Sequence, residues 1–450
     1  MKDEVGNGER GSPSLYLRTF GCQMNVHDSE RMAALLVKQG YHIVDSPEGA
    51  DVVIINTCEV RDKADQKMLS AIGRLRGTKS EHPGQQVVVA GCGAQLRGAQ
   101  IFERNSHVDL VLGPDQIGLI PELLQQVKLQ GQRIVATDWW AGYGPDPAAR
   151  VDGEYAPASV SAFVTAMTGC NNFCTYCIVP TTRGRERSRP LADIVSEVQK
   201  LVVNGVREVT LLGQCVDAYG RDLQDKPSFG KLLREVAAIP ELLRLRFMTS
   251  HPRYVDDSLV QAFAQEPKIC SHLHLPAQSG SDRVLKAMHR RYDRATVVDK
   301  VRQLRAARPD LSLTSDFIVG FPGETEAEFS ETLSLLRELR YDGIFSFAYS
   351  ERPGTRAEKL DGAIAPELRK ERLARLAAVQ EPITRAALEA WVGREVELLV
   401  DGVSARNSER MSGRTGQNIV VNFTGQAQPG QLVKVQITEA KANTLDGLLV

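Results

Sequence analysis

The architecture of this 450-residue chain can be read outward from Ala162–Cys177, AFVTAMTGCNNFCTYC. Its opening residues, Ala162–Thr168, have the apolar and β-branched character of a short strand. Gly169 ends that run, and Cys170, Cys174 and Cys177 follow on one short loop. Three thiolates so placed can converge on one metal centre. A structural zinc site usually closes with four ligands, as two C-x-x-C pairs or as two Cys and two His. No fourth Cys or His lies near in the sequence. Three ligands suit a four-iron, four-sulfur cluster with one iron left open to a non-protein ligand. An incomplete zinc site, or thiols buried by coincidence, are the alternatives at this point.

The same strand-then-loop pattern continues downstream. Further candidate strands are Glu208–Gly213, Leu243–Thr249, His272–Pro276, Leu311–Gly320 and Gly343–Tyr349. Amphipathic helices separate them: Leu191–Val203, Phe229–Ala238, Asp256–Gln265, Ser281–Ala307 (with a break expected near Arg290) and Glu326–Leu339. Six βα units fall two short of a closed (βα)8 barrel. A partial (βα)6 barrel leaves a lateral opening for a large substrate. Its active site should lie at the strand C-terminal ends, where the three-cysteine loop begins.

Upstream, Cys22, Cys58 and Cys92 each follow a β-branched or alternating run: LYLRTFGC, DVVIINTC and QVVVAGC. Helical patterns at His27–Gln39 and Arg61–Arg76 lie between. Strand, helix, strand at this spacing means βα units and a parallel sheet, whose strand C-termini share one edge where ligands bind. Three cysteines at that edge imply a second three-thiolate cluster. Three ordinary buried cysteines are the alternative.

Composition frames these motifs. Lys and Arg number 55 against 56 Asp and Glu, a formal charge of −1, which disfavours a non-specific nucleic-acid coat. Eight cysteines are too few for a disulfide scaffold. No apolar run approaches the 18 or so residues of a membrane span, and the polar Met1–Ser14 has no signal-like apolar region. The expected setting is the reducing cytosol, with no membrane association. The boundaries read as an N-terminal α/β domain (14–137), a Gly/Pro/Ala-rich linker (138–158), the partial barrel (159–388) and a small β-barrel (389–450). Trp139 and Trp140 are expected to pack between domains. A charged helix, Pro366–Gln380, reads as a solvated face. Beyond Trp391, short strands at Glu395–Val400, Asn418–Phe423, Gln431–Thr438 and Leu445–Val450 suggest a small antiparallel barrel. The fold class is therefore α/β multidomain.

Cys170–Cys177 resembles the C-x-x-x-C-x-x-C signature of radical S-adenosylmethionine (SAM) enzymes. With the three upstream cysteines and the terminal barrel, which resembles a TRAM domain, the chain is similar to the methylthiotransferase family over nearly its whole length. Thr19–Asn25 (TFGCQMN) followed by Val26–Glu30 (VHDSE) resembles the MiaB type within that family. That type converts isopentenyl-adenosine beside the tRNA anticodon into its 2-methylthio derivative.

The resemblance implies two four-iron, four-sulfur clusters and SAM as cofactors. It places the SAM-chelating cluster on Cys170, Cys174 and Cys177, and an auxiliary, sulfur-carrying cluster on Cys22, Cys58 and Cys92. It implies SAM contacts at Tyr176, Gln214, Gln278, Ser279, Asp316 and Gly320, the last within DFIVGFPGET, whose glycines would let backbone approach a nucleoside. No acid–base catalytic residue is expected, because adenine C2–H is neither acidic nor electrophilic and needs a cofactor-derived radical. Arg183, Arg185, Arg187 and Arg189 alternate in TTRGRERSRP; extended, they would present one guanidinium face to RNA phosphates. His272 and His274 alternate on a strand and are expected in the core.

Where relatives often read L-L-G-Q-N-V-N, this chain has Leu211–Asp217 (LLGQCVD). Cys215 and Cys270 fit no ligand set and are expected to be inertly buried. Expected partners are the tRNA anticodon stem-loop, a flavodoxin- or ferredoxin-like electron donor and a sulfur or iron–sulfur donor protein, with the enzyme a monomer. Related chemistry on a different tRNA adenosine or on a protein, and a zinc-holding RNA-binding protein, are the competing functions.

Overall fold

The computed structural model describes residues 12–59, 62–140 and 159–450. Most of the expected linker, residues 141–158, lies outside the described residues, as do residues 1–11 and the start of the Arg61 helix. The chain divides into two compact units, one of Met1–Tyr155 with Thr181–Gly184, the other of Ala156–Pro180 with Arg185–Val450. The partial barrel and the terminal barrel thus pack as one unit.

The first unit is built on six parallel strands: β1 (Ser14–Thr19), β2 (His42–Ile43), β3 (Val52–Thr57), β4 (Gln86–Gly91), β5 (Leu110–Leu112) and β6 (Ile134–Ala136). Their order is β2-β1-β3-β4-β5-β6. Val52, Ile54, Val88 and Ala90 enter one core, and Val53, Ile55, Val87 and Val89 the other. Alternate residues thus feed two apolar layers, which is why these central strands read as unbroken apolar runs. Flanking helices include Gln23–Lys38 and Asp62–Glu81.

The second unit holds an open half-barrel. Strands β7 (Ser161–Thr165), β10 (Glu208–Leu212) and β11 (Arg244–Phe247) form one parallel sheet, in the order β11-β10-β7. Strands β12 (His272–His274), β13 (Ser312–Val319) and β14 (Gly343–Ala348) form another. A Leu245–Ile269 bridge connects the two. The expected Ala162–Thr168 strand is interrupted: after β7, a short β8 (Met167–Thr168) turns away to pair antiparallel with β9 (Arg187–Ser188). Val209, Leu211, Leu245, Phe247, Leu273 and Leu313 pack into the main core with the helices. The alternate positions Glu208, Thr210, Arg244, Arg246, His272, His274 and Thr314 therefore point to the opposite face, inside the half-barrel. The long Ser281–Ala307 pattern is two helices, Asp282–Ala287 and Arg294–Ala307, broken around Arg290 as expected.

Helix Pro366–Glu389 runs past its expected end at Gln380, through Pro382. Interior proline costs a helix about 3 kcal/mol, yet Ile383 and Leu388 are buried beyond it and Gln380 donates to the Tyr341 carbonyl at 2.7 Å. Tertiary packing outweighs the break. Nor is the helix a uniformly solvated face. Arg372 is 3% exposed and pairs with the equally buried Glu324 at 2.8 Å.

The terminal barrel closes from β15 (Glu395–Ser404), β16 (Asn407–Arg414), β17 (Val420–Thr424), β18 (Leu432–Ala440) and β19 (Leu445–Leu449), in the order β15-β16-β17-β19-β18. Sequence patterning misses β16, NSERMSGR, because it is polar and mostly exposed or half-buried. All pairs are antiparallel except β17 with β19, which is parallel. Arg246 donates to the Thr415 carbonyl at 2.8 Å and to that of Gly416 at 3.2 Å. The loop after β16 thus docks on the half-barrel's polar lining.

Arg372→Ala should strand a buried Glu324 carboxylate and cost about 3 kcal/mol. Chemical denaturation should show a lower midpoint, whereas truncation of the exposed Arg385–Glu381 pair should change stability by less than about 0.5 kcal/mol.

Candidate functional site

In the second unit the three-cysteine loop leaves β8 through Gly169, whose φ of +77° favours glycine. The Gly169 N–H donates to the Gln214 side-chain oxygen. Thr175 N–H donates to the Met288 carbonyl at 3.0 Å, and its hydroxyl to that of Ala287 at 2.9 Å. Ala357 N–H donates to the Thr175 carbonyl at 2.8 Å, and Cys177 N–H to that of Cys174 at 3.0 Å. These bonds anchor the loop at Gly169, Thr175 and Cys177.

Arg290, buried, is the cation of this site. It donates to Cys174 Sγ at 3.3 Å, to Tyr176 Oη at 3.4 Å and to the Pro276 carbonyl at 3.0 Å. Asn172 donates to Cys170 Sγ at 3.5 Å and to Cys215 Sγ at 3.4 Å. A hydrogen bond with Cys215, against burial, draws the Cys170 thiol down to about 7. The enclosing packing, reinforced by Cys174, pushes Cys177 up to about 12. Cys215 is buried, as expected, but it is not remote: it lies beside Cys170 and 3.4 Å from Asp217 Oδ1. Burial raises Asp217 to about 7 and Cys270 to about 11.

The other expected cofactor contacts are spread over the same strand ends. Tyr176 packs against the apolar cluster that holds Met288, Phe321 and Tyr349. Gln278 has a φ of +69°, and its N–H donates to the Asp316 carbonyl at 2.8 Å. Asp316 faces His274 at 3.4 Å, and His274 bonds Thr314 at 3.0 Å. Ser279 is wholly buried, its hydroxyl occupied by Thr332 and the Ser281 N–H. At Gly320, φ is +71° and a Cβ would come 2.4 Å from Arg369 Cγ. That glycine makes room for the Arg369 stem.

The four alternating arginines do not share one face. Gly184, with φ +75°, breaks the extended run. Arg183 is buried in the first unit and Arg189 in the second, the latter paired with Glu197 and the Thr165 carbonyl. Arg185 is exposed and lies 4.3 Å over the Phe173 ring. Arg187 sits half-buried in β9.

In the first unit Cys22, Cys58 and Cys92 follow β1, β3 and β4, three adjacent strands. Asn25 and Asn56 knit the edge: Asn25 donates to the Thr57 carbonyl at 2.9 Å, and Asn56 to that of Asn25 at 2.7 Å. Cys22 and Cys58 are hydrogen-bonded neighbours, and that bond, with the charge of Arg183, lowers Cys22 to about 6. Burial raises the Cys92 thiol despite Arg183, which donates to it at 3.1 Å and pairs with Asp28 at 2.7 Å. Trp140 donates its indole N–H to the Asp115 carbonyl at 2.7 Å, so its described contact lies within this unit. Arg290, Asn172, Asn25 and Asp28 went unread in the sequence. For Arg290 a signal was present: it stands where a helical pattern breaks beside a strand end.

Among the described residues no group of three or more His, Cys, Asp or Glu is arranged as a single-ion site. Each cysteine set nevertheless offers three soft thiol donors with N–H donors aimed at the sulfurs, a donor set that fits an iron–sulfur cluster better than a bare ion. Three cysteines at the mouth of an open parallel half-barrel define the radical SAM class, and the comparisons agree. Residues 164–336 match the radical SAM superfamily, residues 14–113 the uncharacterized protein family UPF0004 and residues 389–450 the TRAM domain. The radical SAM methyltransferase TsrM from Kitasatospora setae, solved with cobalamin and a [4Fe-4S] cluster bound, superposes with a TM-score of 0.55 at 15% identity, over 77% of this chain and 74% of that one. That likeness speaks for the fold.

Proteins named tRNA-2-methylthio-N(6)-dimethylallyladenosine synthase are similar over almost their full length. The Geobacter metallireducens protein is 46% identical, covering 98% of this chain and 99% of its own. The Trichlorobacter lovleyi protein is 45% identical, covering 97% and 99%. The chain belongs to the family of these synthases. No helix among the described residues is long and apolar enough to cross a membrane.

Gly91→Ala tests the first-unit edge. With φ at +92° and a Cβ only 2.2 Å from Asn56 Oδ1, alanine should displace the Thr57–Cys58 turn. Anaerobic reconstitution should then load less iron than wild type.

Proposed function

We propose that this chain is a tRNA methylthiotransferase that installs a methylthio group at C2 of N6-dimethylallyl (isopentenyl) adenosine beside the anticodon. The carrying observation is the arrangement of six cysteines as two sets of three, one following adjacent parallel strands of the first unit and the other on the loop that leaves β8 beyond the C-terminal end of β7. Relatives alike over nearly the whole chain bear the matching name. In this reading Cys170, Cys174 and Cys177 hold the cluster that binds SAM, and Cys22, Cys58 and Cys92 hold an auxiliary cluster that supplies sulfur. The bound cluster and SAM furnish the carbon radical that a C2–H bond requires.

The chain's own residues supply placement and charge. Arg290 holds a buried positive charge against Cys174, offsetting thiolate charge in a low-dielectric site. Arg183 does the same for Cys22 and Cys92, with Asp28 fixing its orientation. Gln214 anchors Gly169, and the bonds at Thr175 hold the loop against Met288 and Ala357. Tyr176, Gln278 and Asp316 surround the SAM position; Arg185 and the terminal barrel contribute RNA contacts. The substrate is tRNA, gripped at its anticodon stem-loop; a flavodoxin- or ferredoxin-like reductant and a sulfur donor complete the cycle, with the enzyme a cytoplasmic monomer.

Reconstituted wild-type enzyme with SAM and reductant should add the mass of a methylthio group to isopentenylated tRNA. No mass gain contradicts the reading. Cys174→Ala should abolish SAM cleavage, whereas Cys58→Ala should keep some cleavage and block sulfur insertion. Equal loss of cleavage in both contradicts the assigned division of labour.

A further inference from the structure

We infer that Phe345 and Phe347 form the wall that recognises the apolar N6 chain of the substrate base, an assignment that rests on the proposed function. Both lie on β14, the last strand of the open half-barrel. Ile344, between them and the strand's start, packs against the main core, so the two phenylalanines point to the opposite, inner face. They are 54% and 37% exposed, although large aromatic rings are ordinarily buried.

Their neighbours tie them to the site. In the parallel register Phe345 lies beside Asp316, and Phe347 beside Ile318. Phe345 meets the His274 ring edge-on at 5.8 Å, and His274 faces Asp316 at 3.4 Å. Ile318 and Tyr176, the latter next to Cys177, both pack against the apolar cluster that holds Met288, Phe321 and Tyr349. One inner-face surface therefore joins Asp316, His274 and Ile318 to the two rings. It combines a polar edge, Asp316 with His274, and an apolar wall. A purine carrying a branched five-carbon chain has the same division: heteroatoms on the ring, hydrocarbon on N6. Aromatic faces also stack on bases without distinguishing among them, so the selectivity assigned here is for the alkyl chain, through apolar contact.

The test uses the full chain and synthetic anticodon stem-loops with and without the N6-dimethylallyl group. Wild type should bind the alkylated stem-loop at least about tenfold more tightly. The double variant Phe345→Ala, Phe347→Ala should bind the two stem-loops within about twofold of each other. The Phe345→Leu, Phe347→Leu variant, which keeps an apolar wall and secures the result against misfolding, should restore most of the preference. An alanine double variant that still prefers the alkylated stem-loop as wild type does overturns the assignment. Wild-type enzyme that leaves isopentenylated tRNA unmodified fails the functional reading instead, so the two failures are distinguishable.

Discussion

Parallel strand pairing is the constraint on which the rest of the structure depends. Strands that run the same way end at the same edge, so residues far apart in sequence meet there. Cys22, Cys58 and Cys92 are 34 to 36 positions apart, yet they follow the adjacent strands β1, β3 and β4. The half-barrel uses the same rule: the cysteine loop, Gln214 and Gln278 all stand beyond strand ends, and Asp316 lies within β13 beside them. Because the half-barrel is not closed, its last strand keeps an inner face open to a bulky substrate.

Crowding thiols has an electrostatic cost, and each unit meets it with a buried arginine. Like charges at close range disfavour a second thiolate, and Arg183 and Arg290 offset this in their respective units. Both arginines are held in place: Arg183 pairs with Asp28, and Arg290 donates to Tyr292 Oη at 2.8 Å and to the Pro276 carbonyl. Removal of either would leave sulfur charge in a poorly solvated setting.

Much of this was legible in the sequence because periodicity reports burial. The helices Leu191–Val203 and Glu326–Leu339 coincide with their expected limits, and the break near Arg290 was visible in the pattern. Less legible was whatever depends on partners distant in sequence. A row of alternating arginines looks like an RNA face until Gly184 turns the chain and Asp28 and Glu197 claim Arg183 and Arg189. Strand β16 has no apolar alternation to show because little of it is buried, and Pro382 sits in a helix that tertiary packing sustains. Nor does the sequence show that the Arg369 stem packs against Gly320.

Anaerobic counting of iron and sulfide on the full-length chain tests the central claim most directly. Two sites of three cysteines each predict about eight irons with about eight sulfides per chain. Zinc in place of iron, or loading that stops at about four irons whatever the reconstitution conditions, would contradict the account.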